Sequence, residues 1–177
     1  MTRDEALEEL RLRLSDGHIL RRSMAVEAIM KEFAVYFNAD IQMWGLVGLL
    51  HDIDYEKTLD QPSKHGILGA EILENLDFDQ AIVYSVKAHN DCNGVPRQRK
   101  MDKVLYLSDC IAEVILACET SPLGNISGVS PELLLNKIDE APGNLRARLE
   151  NGCNELELPL AQFLQIALKA VQKVTIL

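Results

Sequence analysis

The chain has 177 residues, of which 47% are hydrophobic and 25% charged, and its formal net charge is −9. This length and composition are typical of one soluble globular domain with a sizeable core. The negative charge argues against a partner that is a nucleic acid polymer, although a small phosphorylated molecule needs only a few local cations. The longest apolar stretch, residues 41–50, is too short to span a membrane.

Cysteine usage and the N-terminal residues predict a reduced, cytoplasmic compartment. The four cysteines, Cys92, Cys110, Cys118 and Cys153, form no C-x-x-C pair. The N-terminus, MTRDEALEEL, is charged and has no apolar segment of the kind that secretory signals contain. Together these features favour a cytoplasmic protein.

Helical periodicity dominates the first half of the chain. The predicted helices there cover residues 4–14, 18–37, 41–53, 63–75 and 79–89. The helix over residues 41–53 is apolar nearly all round, which indicates a helix buried in the middle of the fold. Ser63, which follows Pro62, is the predicted N-cap of the next helix.

The second half of the chain continues the helical pattern. Residues 90–96 are rich in turn formers, and further helices are predicted over residues 99–119, 130–140 and 156–174, with breaks at 121–125 and 141–143. We therefore predict an all-α protein of about eight helices. It forms a single domain over residues 1–177, with a core at about 15–119 and a helical C-terminal extension at about 120–177.

Polar residues interrupt the apolar faces of several predicted helices. The inward-facing residues are His51, His65, His89 and Asp109. Any one of them has an ordinary explanation, since a lone inward histidine is more often a satisfied core residue than a ligand. A buried charge is nevertheless costly unless it is paired or binds a metal. Four such residues in one chain predict a metal site.

The adjacent pair His51-Asp52 strengthens this interpretation. It closes the most apolar helix of the chain, where the helix dipole disfavours a carboxylate, and Asp54 and Glu56 add further negative charge. A bound cation would offset that cost.

The segment around this pair resembles the signature of a known family. Residues 49–56, LLHDIDYE, are similar to the signature of the HD domain superfamily, in particular a branch of small predicted HD phosphohydrolases. The flanking segments agree in their order, and they are residues 25–30, residues 44–48, His65-Gly66, residues 88–90 and Ser108-Asp109. The resemblance covers about residues 15–175.

The resemblance implies an HD-domain helical bundle with a divalent metal. In that family the metal is held by a first histidine, by the HD pair and by a distal aspartate, and two further histidines often bring in a second metal. Carried over to this sequence, the pair is His51 and Asp52, the distal aspartate is Asp109, and the further histidines are His65 and His89.

The position of the first histidine departs from the family pattern, because Arg22 stands there. An arginine stays protonated and cannot ligate a metal, but it can neutralise carboxylates or bind a phosphate. Three readings are open. His18, one turn earlier, substitutes as the ligand; or one metal binds through the remaining ligands while Arg22 contacts a phosphate or a carboxylate; or the chain is a degenerate member without catalysis.

The function expected from these residues is a metal-dependent phosphohydrolase that acts on a small phosphorylated metabolite or nucleotide. Mixed histidine and carboxylate ligands suit Mn, Fe, Zn, Ni or Mg. Asp52 would be both a metal ligand and the residue that orients the attacking water. Lys64, next to His65 at a helix start, would bind a phosphate together with the helix N-terminus.

Two other features have ordinary explanations. The basic cluster of residues 97–100 with Lys103 is interpreted as a solvated loop and helix start, with substrate contact as the alternative. The C-terminal stripe of Leu and Val residues is interpreted as core or as the surface of a possible homodimer.

Overall fold

A computed structural model describes residues 1–118 and 126–173. This part of the chain forms ten α-helices and two short 3₁₀ helices, Pro62–Lys64 and Asp91–Asn93, and contains no strand. The α-helices are α1 (Arg3–Arg11), α2 (Gly17–Tyr36), α3 (Ile41–Leu50), α4 (Tyr55–Thr58), α5 (Ile67–Asn75), α6 (Gln80–Ala88), α7 (Lys100–Ala117), α8 (Pro131–Glu140), α9 (Leu145–Glu155) and α10 (Leu160–Gln172). The all-α prediction is confirmed.

The helix count differs from the expected eight because two helices carry a weak apolar signal. The short α4 spans a single turn, and α9 buries only Leu145, Leu149 and Cys153 among polar neighbours. The break expected at residues 121–125 and the end of the last predicted helix, at residue 174, lie outside the described residues.

Four helix starts follow the expected capping chemistry. Asp16, Asp40, Asp79 and Ser130 each accept a hydrogen bond from the first turn of the following helix. Ser63 was wrongly predicted as the N-cap of α5, since it lies within the 3₁₀ helix and α5 begins after Gly66. Gly66 has a positive φ of 82° and no side chain to offer as a cap.

Helix α3 lies in the interior, as its sequence predicts, and packs against α1, α2, α6 and α7. Its closest neighbour is α2, because a Cβ on Gly48 would lie only 2.8 Å from both the Glu27 Cα and the Val26 carbonyl oxygen. The helix ends at Leu50 rather than at residue 53. His51 and Asp52 therefore lie in the turn that follows it.

The C-terminal helices complete the same interior. Helix α10 packs against α2, α7, α8 and α9, and the ring of Phe163 stacks on Phe33 with 5.0 Å between centroids. The C-terminal apolar stripe is thus core within the described residues. No helix in residues 1–118 or 126–173 has the length and apolar character required to cross a membrane.

Candidate metal centre

Five elements bring the predicted ligands into one cluster at the ends of buried helices. Helix α2 contributes Arg22, the turn after α3 contributes His51 and Asp52, the segment before α5 contributes His65, the residue after α6 is His89, and α7 contributes Asp109. Their ligand atoms form two groups in which all atoms lie within 4.8 Å of one another. These groups are His51, Asp52 and Asp109, and Asp52, His65 and His89. Asp52 belongs to both.

Each imidazole is oriented by an acceptor on its Nδ1 atom. Nδ1 of His51 lies 2.8 Å from the Gly48 carbonyl oxygen, and Nδ1 of His89 lies 2.6 Å from the Val86 carbonyl oxygen. Nδ1 of His65 lies 2.9 Å from Oδ1 of Asp54. Because these oxygens only accept, each Nδ1 carries the proton, and each Nε2 lone pair is directed into the cluster when the ring is neutral. This is the orientation that metal-binding histidines require.

Asp54 is a site residue that the sequence did not single out. It is fully buried. One carboxylate oxygen accepts from His65, and the other accepts from the backbone N–H groups of Gly66 and Gly69, both at 2.8 Å. Helix α5 therefore receives its cap from Asp54. The sequence did contain a signal for this role, because the N-cap position of α5 is a glycine. Buried N–H groups at a helix start need an acceptor, so another residue had to supply one.

Arg22 binds the carboxylate of Asp52 from the α2 side. Its Nε and Nη2 both donate to Oδ2 of Asp52, Nε at 3.1 Å, and Nε lies 3.7 Å from Oδ1 of Asp109. The guanidinium carbon also lies 5.1 Å from the ring centroid of Tyr55. Arg22 points inward, as its place on the α2 stripe predicts, and it neutralises carboxylates in the cluster.

The other oxygen of Asp52 faces two histidines. Oδ1 lies 3.2 Å from Nε2 of His65 and 3.9 Å from Nε2 of His89, yet it has no partner with the geometry of a hydrogen bond. The two Nε2 atoms are 3.1 Å apart. When both rings are neutral, three electron-rich atoms thus converge on one point in the interior. Only a proton or a metal ion between them removes their mutual repulsion, so the residues fit a divalent metal.

Burial and neighbouring charges shift the pKa values of the histidines in the cluster, upward for His51 and His65 and downward for His89. Burial disfavours the charged form of His51 and His65, but neighbouring carboxylates outweigh it and raise their pKa values to about 10 and about 9. Burial and the two nearby histidines lower the pKa of His89 to about 4. Although burial opposes it, His51, His65 and Arg22 hold the pKa of Asp52 well below its ordinary value. Asp52 therefore stays a carboxylate.

His18 lies outside the cluster. Its side chain is 51% exposed, and its Nε2 lies 3.7 Å from Oε1 of Glu113. Glu113 lies one turn after Asp109 on α7. Arg22 lies next to Asp109 and the cluster, whereas His18 lies next to Glu113, one turn away from it. The structure does not bring His18 to the position of a first ligand.

Lys64 is exposed in the 3₁₀ helix immediately before His65. Its expected role, to bind a phosphate together with the N-terminus of α5, stays a prediction. At that helix end, the N–H groups of Gly66 and Gly69 are bound to Asp54.

The basic cluster after His89 is held by internal contacts. Arg97 donates to the carbonyl oxygens of Ala88 and His89, both at 3.4 Å, and to Asp91. Arg99 donates to the buried Asp102. These contacts hold the segment after α6 and the start of α7 in place. They agree with the interpretation of the basic cluster as a loop and helix start.

A cavity of about 220 Å³ opens beside His65. It lies between α4 and the two 3₁₀ helices, and it is lined by Tyr55, Thr58, Leu59, Pro62, His65 and Asn90. The amide of Asn90 donates to the carbonyl oxygens of Pro62 and His65, which fixes one wall. His65 is thus the cluster residue that lines this cavity.

Comparison with known proteins identifies the family. The family model described as HD domain matches residues 19–114, so the chain belongs to the HD domain family. Domains of this family bind divalent metals and belong to a superfamily of metal-dependent phosphohydrolases. The resemblance noted at LLHDIDYE is thereby confirmed.

Three curated relatives are informative. Ribonuclease Y of Lawsonia intracellularis (strain PHE/MN1-00) is 28% identical over 95 residues, 54% of this chain and 18% of that protein. Ribonuclease Y of Mycoplasma mycoides is 30% identical over 84 residues, 47% of this chain and 20% of that protein. An uncharacterized protein of Methanocaldococcus jannaschii is 26% identical over 139 residues, 73% of this chain and 80% of that protein. The chain thus spans about a fifth of the length of either ribonuclease Y.

Proposed function

We propose that this protein is a metal-dependent phosphohydrolase acting on a small phosphorylated metabolite or nucleotide. The observation that carries the proposal is that ligand atoms of Asp52, His65 and His89 lie within 4.8 Å of one another, while the buried Asp52 Oδ1 has no hydrogen-bond partner among the described residues. A buried carboxylate oxygen without a hydrogen bond is costly in a structural core, whereas the same oxygen stabilises a bound divalent ion. Membership of the HD domain family supports the same reaction class.

His51, Asp52, His65, His89 and Asp109 are the residues that would hold Mn, Fe, Zn, Ni or Mg. Such an ion lowers the pKa of a bound water and polarises a phosphoryl oxygen. Asp52 remains ionised because its neighbours lower its pKa, so its carboxylate can accept a hydrogen bond from a water and orient it. Asp54 and the backbone carbonyls of Gly48 and Val86 keep the three imidazoles in the required tautomer.

Arg22 and Lys64 are the residues that would bind the phosphate of the substrate. Arg22 holds a fixed positive charge beside the cluster, and Lys64 lies one residue before His65 on the exposed side. The cavity beside His65 supports a small substrate. Two relatives bear the name ribonuclease Y, but a net charge of −9 disfavours an RNA polymer, because polymer binding depends on a basic face.

A second function is favoured by one contact. Arg22 donates twice to Oδ2 of Asp52, so part of the expected ligand set is engaged by a guanidinium. A degenerate HD-fold protein, which binds a metal or ligand without catalysis, would tolerate this arrangement.

The test combines metal analysis with a panel of phosphate esters. Purified protein is expected to contain a divalent metal and to release phosphate from at least one small substrate, and His65→Ala and Asp52→Asn should each abolish the release. His18→Ala is the matched control, because His18 lies outside the cluster. Metal without turnover on a broad panel supports the non-catalytic alternative. Protein that takes up no metal from Mn²⁺, Fe²⁺, Zn²⁺, Ni²⁺ or Mg²⁺ would refute the metal centre.

A further inference from the structure

The two halves of the cluster differ in whether the guanidinium of Arg22 lies among their ligand atoms. In the half formed by His51, Asp52 and Asp109, the Arg22 guanidinium lies between the carboxylates, 3.1 Å from Asp52 Oδ2 and 3.7 Å from Asp109 Oδ1. A guanidinium is always charged at physiological pH and saturates the oxygen that it binds. A divalent ion in this half would lie beside a fixed positive charge and compete for the same oxygen.

The guanidinium is held in place from several sides. The side chain of Arg22 is only 15% exposed, and its charged end lies over the ring of Tyr55. It originates on α2, whose neighbouring residues Ser23, Ala25 and Val26 are buried in the core. Moving it out of the cluster would leave the buried carboxylate of Asp52 without this partner, which is costly.

In the half formed by Asp52, His65 and His89, the described residues place no guanidinium among the ligand atoms. Oδ1 of Asp52 has no hydrogen-bond partner there, and both histidines direct Nε2 toward it. Two imidazole nitrogens and one carboxylate oxygen form a three-ligand site. Catalytic sites of this kind leave further positions for water and substrate.

We propose that Arg22 permanently replaces one of two metal ions, so that the protein binds a single divalent ion, at Asp52 Oδ1, His65 Nε2 and His89 Nε2. This inference rests on the proposed metal centre and assigns its halves different roles. His51 and Asp109 then belong to the half that Arg22 neutralises, and they hold Arg22 and Asp52 in position without ligating the ion.

The division of roles is tested by metal stoichiometry and not by turnover. Metal-free protein is loaded with Mn²⁺, unbound ion is removed, and the bound Mn²⁺ is counted by elemental analysis and examined by electron paramagnetic resonance. The expected result for the natural chain is one Mn²⁺ per chain with the spectrum of an isolated ion. His65→Ala and His89→Ala should lower Mn²⁺ affinity at least about tenfold, whereas Asp109→Asn should retain one bound ion.

Arg22→His supplies the complementary test, and Arg22→Lys is its matched control. The histidine variant is expected to bind two Mn²⁺ per chain, with a spectrum of coupled ions that share Asp52. The lysine variant keeps a fixed positive charge and should still bind one. The helical signal in circular dichroism checks that each variant is folded. If Arg22→His does not fold, the Mn²⁺ binding of His65→Ala, His89→Ala and Asp109→Asn decides which half holds the ion.

The outcomes separate this inference from the proposed function. Two Mn²⁺ in the natural chain, or one Mn²⁺ that is lost in Asp109→Asn and kept in His65→Ala, overturns the division of roles and leaves the metal centre standing. A natural chain that binds no Mn²⁺, Zn²⁺ or Ni²⁺ overturns both.

Discussion

At the residue scale, the orientation of His65 depends on one carboxylate that lies eleven residues before it. Asp54 accepts from Nδ1 of His65 through one oxygen and from two backbone N–H groups through the other. All three donors point at a carboxylate that is fully buried. An amide in its place would direct N–H groups at one of these donors, because only one of its two polar atoms is an acceptor.

We therefore predict that Asp54→Asn weakens the metal site as well as the fold. Metal affinity should fall about 10- to 100-fold, since loss of a partner that orients a ligating histidine has effects of this size. The free energy of unfolding should fall by about 1–3 kcal/mol, because a buried donor loses its acceptor. Mn²⁺ titration and urea denaturation measure the two effects.

Asp60→Asn is the matched control, because Asp60 is exposed and close in sequence. It should leave both quantities unchanged within error. Equal Mn²⁺ affinities in the two variants would show that Asp54 does not position His65.

The sequence could predict which side chains of the site point inward, but not which partners they meet. Periodicity directs His51, His89 and Arg22 inward, because each shares a helical face with apolar residues. It does not say which carboxylate Arg22 meets, since that depends on how α2 crosses the turn after α3. The role of Asp54 was missed for the same reason, as its donors lie 11 to 15 residues away.

At the element scale, the cluster requires α2 and α3 to lie unusually close. Gly48 permits this approach, since a Cβ there would come within 2.8 Å of backbone atoms of Val26 and Glu27. Backbone atoms in the middle of α2 cannot move aside as a flexible side chain can. Helix α2 also carries Arg22, and α3 leads into His51, so the spacing of the two helices sets the spacing of the site.

Gly48→Ala is accordingly expected to destabilise the protein by about 1–3 kcal/mol, the usual cost of overpacking a core. Mn²⁺ affinity should fall with it, because α3 must shift away from α2. Gly17→Ala, at the start of α2, is the matched control, since nothing lies within 4 Å of a Cβ there. Urea denaturation that shows the same midpoint for both variants would contradict the close approach of the helices.

Element boundaries were harder to predict from the sequence than element identity. The apolar pattern predicts α3 through residue 53, but the helix ends at Leu50 and the next residues form the turn that carries the site. Helix α9 was missed because its three buried residues lie among charged and polar ones, with Gly152 in its last turn. That glycine lets α9 lie close to α7, since a Cβ would lie 2.6 Å from a methyl carbon of Leu107.

At the scale of the whole molecule, the hydrophobic core extends further along the chain than the match to the HD domain family. The HD domain match ends at residue 114, whereas buried side chains continue through α8, α9 and α10. The sequence predicted this region as a helical extension of the domain, although it did not predict α9. Their apolar faces meet α2 and α7, the helices that supply Arg22 and Asp109, so the extension supports the helices of the site.

Phe163 is the residue at which this connection can be tested. It is fully buried, and its ring stacks on Phe33 of α2, which is also fully buried. Phe163→Ala should lower the free energy of unfolding by about 3–5 kcal/mol, because it removes a large side chain and leaves a cavity. Phe163→Leu, the matched control, fills part of that volume and should cost less.

The single tryptophan, Trp44, lies on α3 in the N-terminal part of the chain and reports whether the extension and the HD core unfold together. If they share one core, the unfolding transition followed by Trp44 fluorescence shifts with Phe163→Ala as far as the transition followed by circular dichroism. An independent extension would instead leave the fluorescence transition where it is in the natural chain. Coincident shifts would make residues 126–173 part of the same cooperative unit as the metal centre, since α10 contacts the helix that carries Arg22.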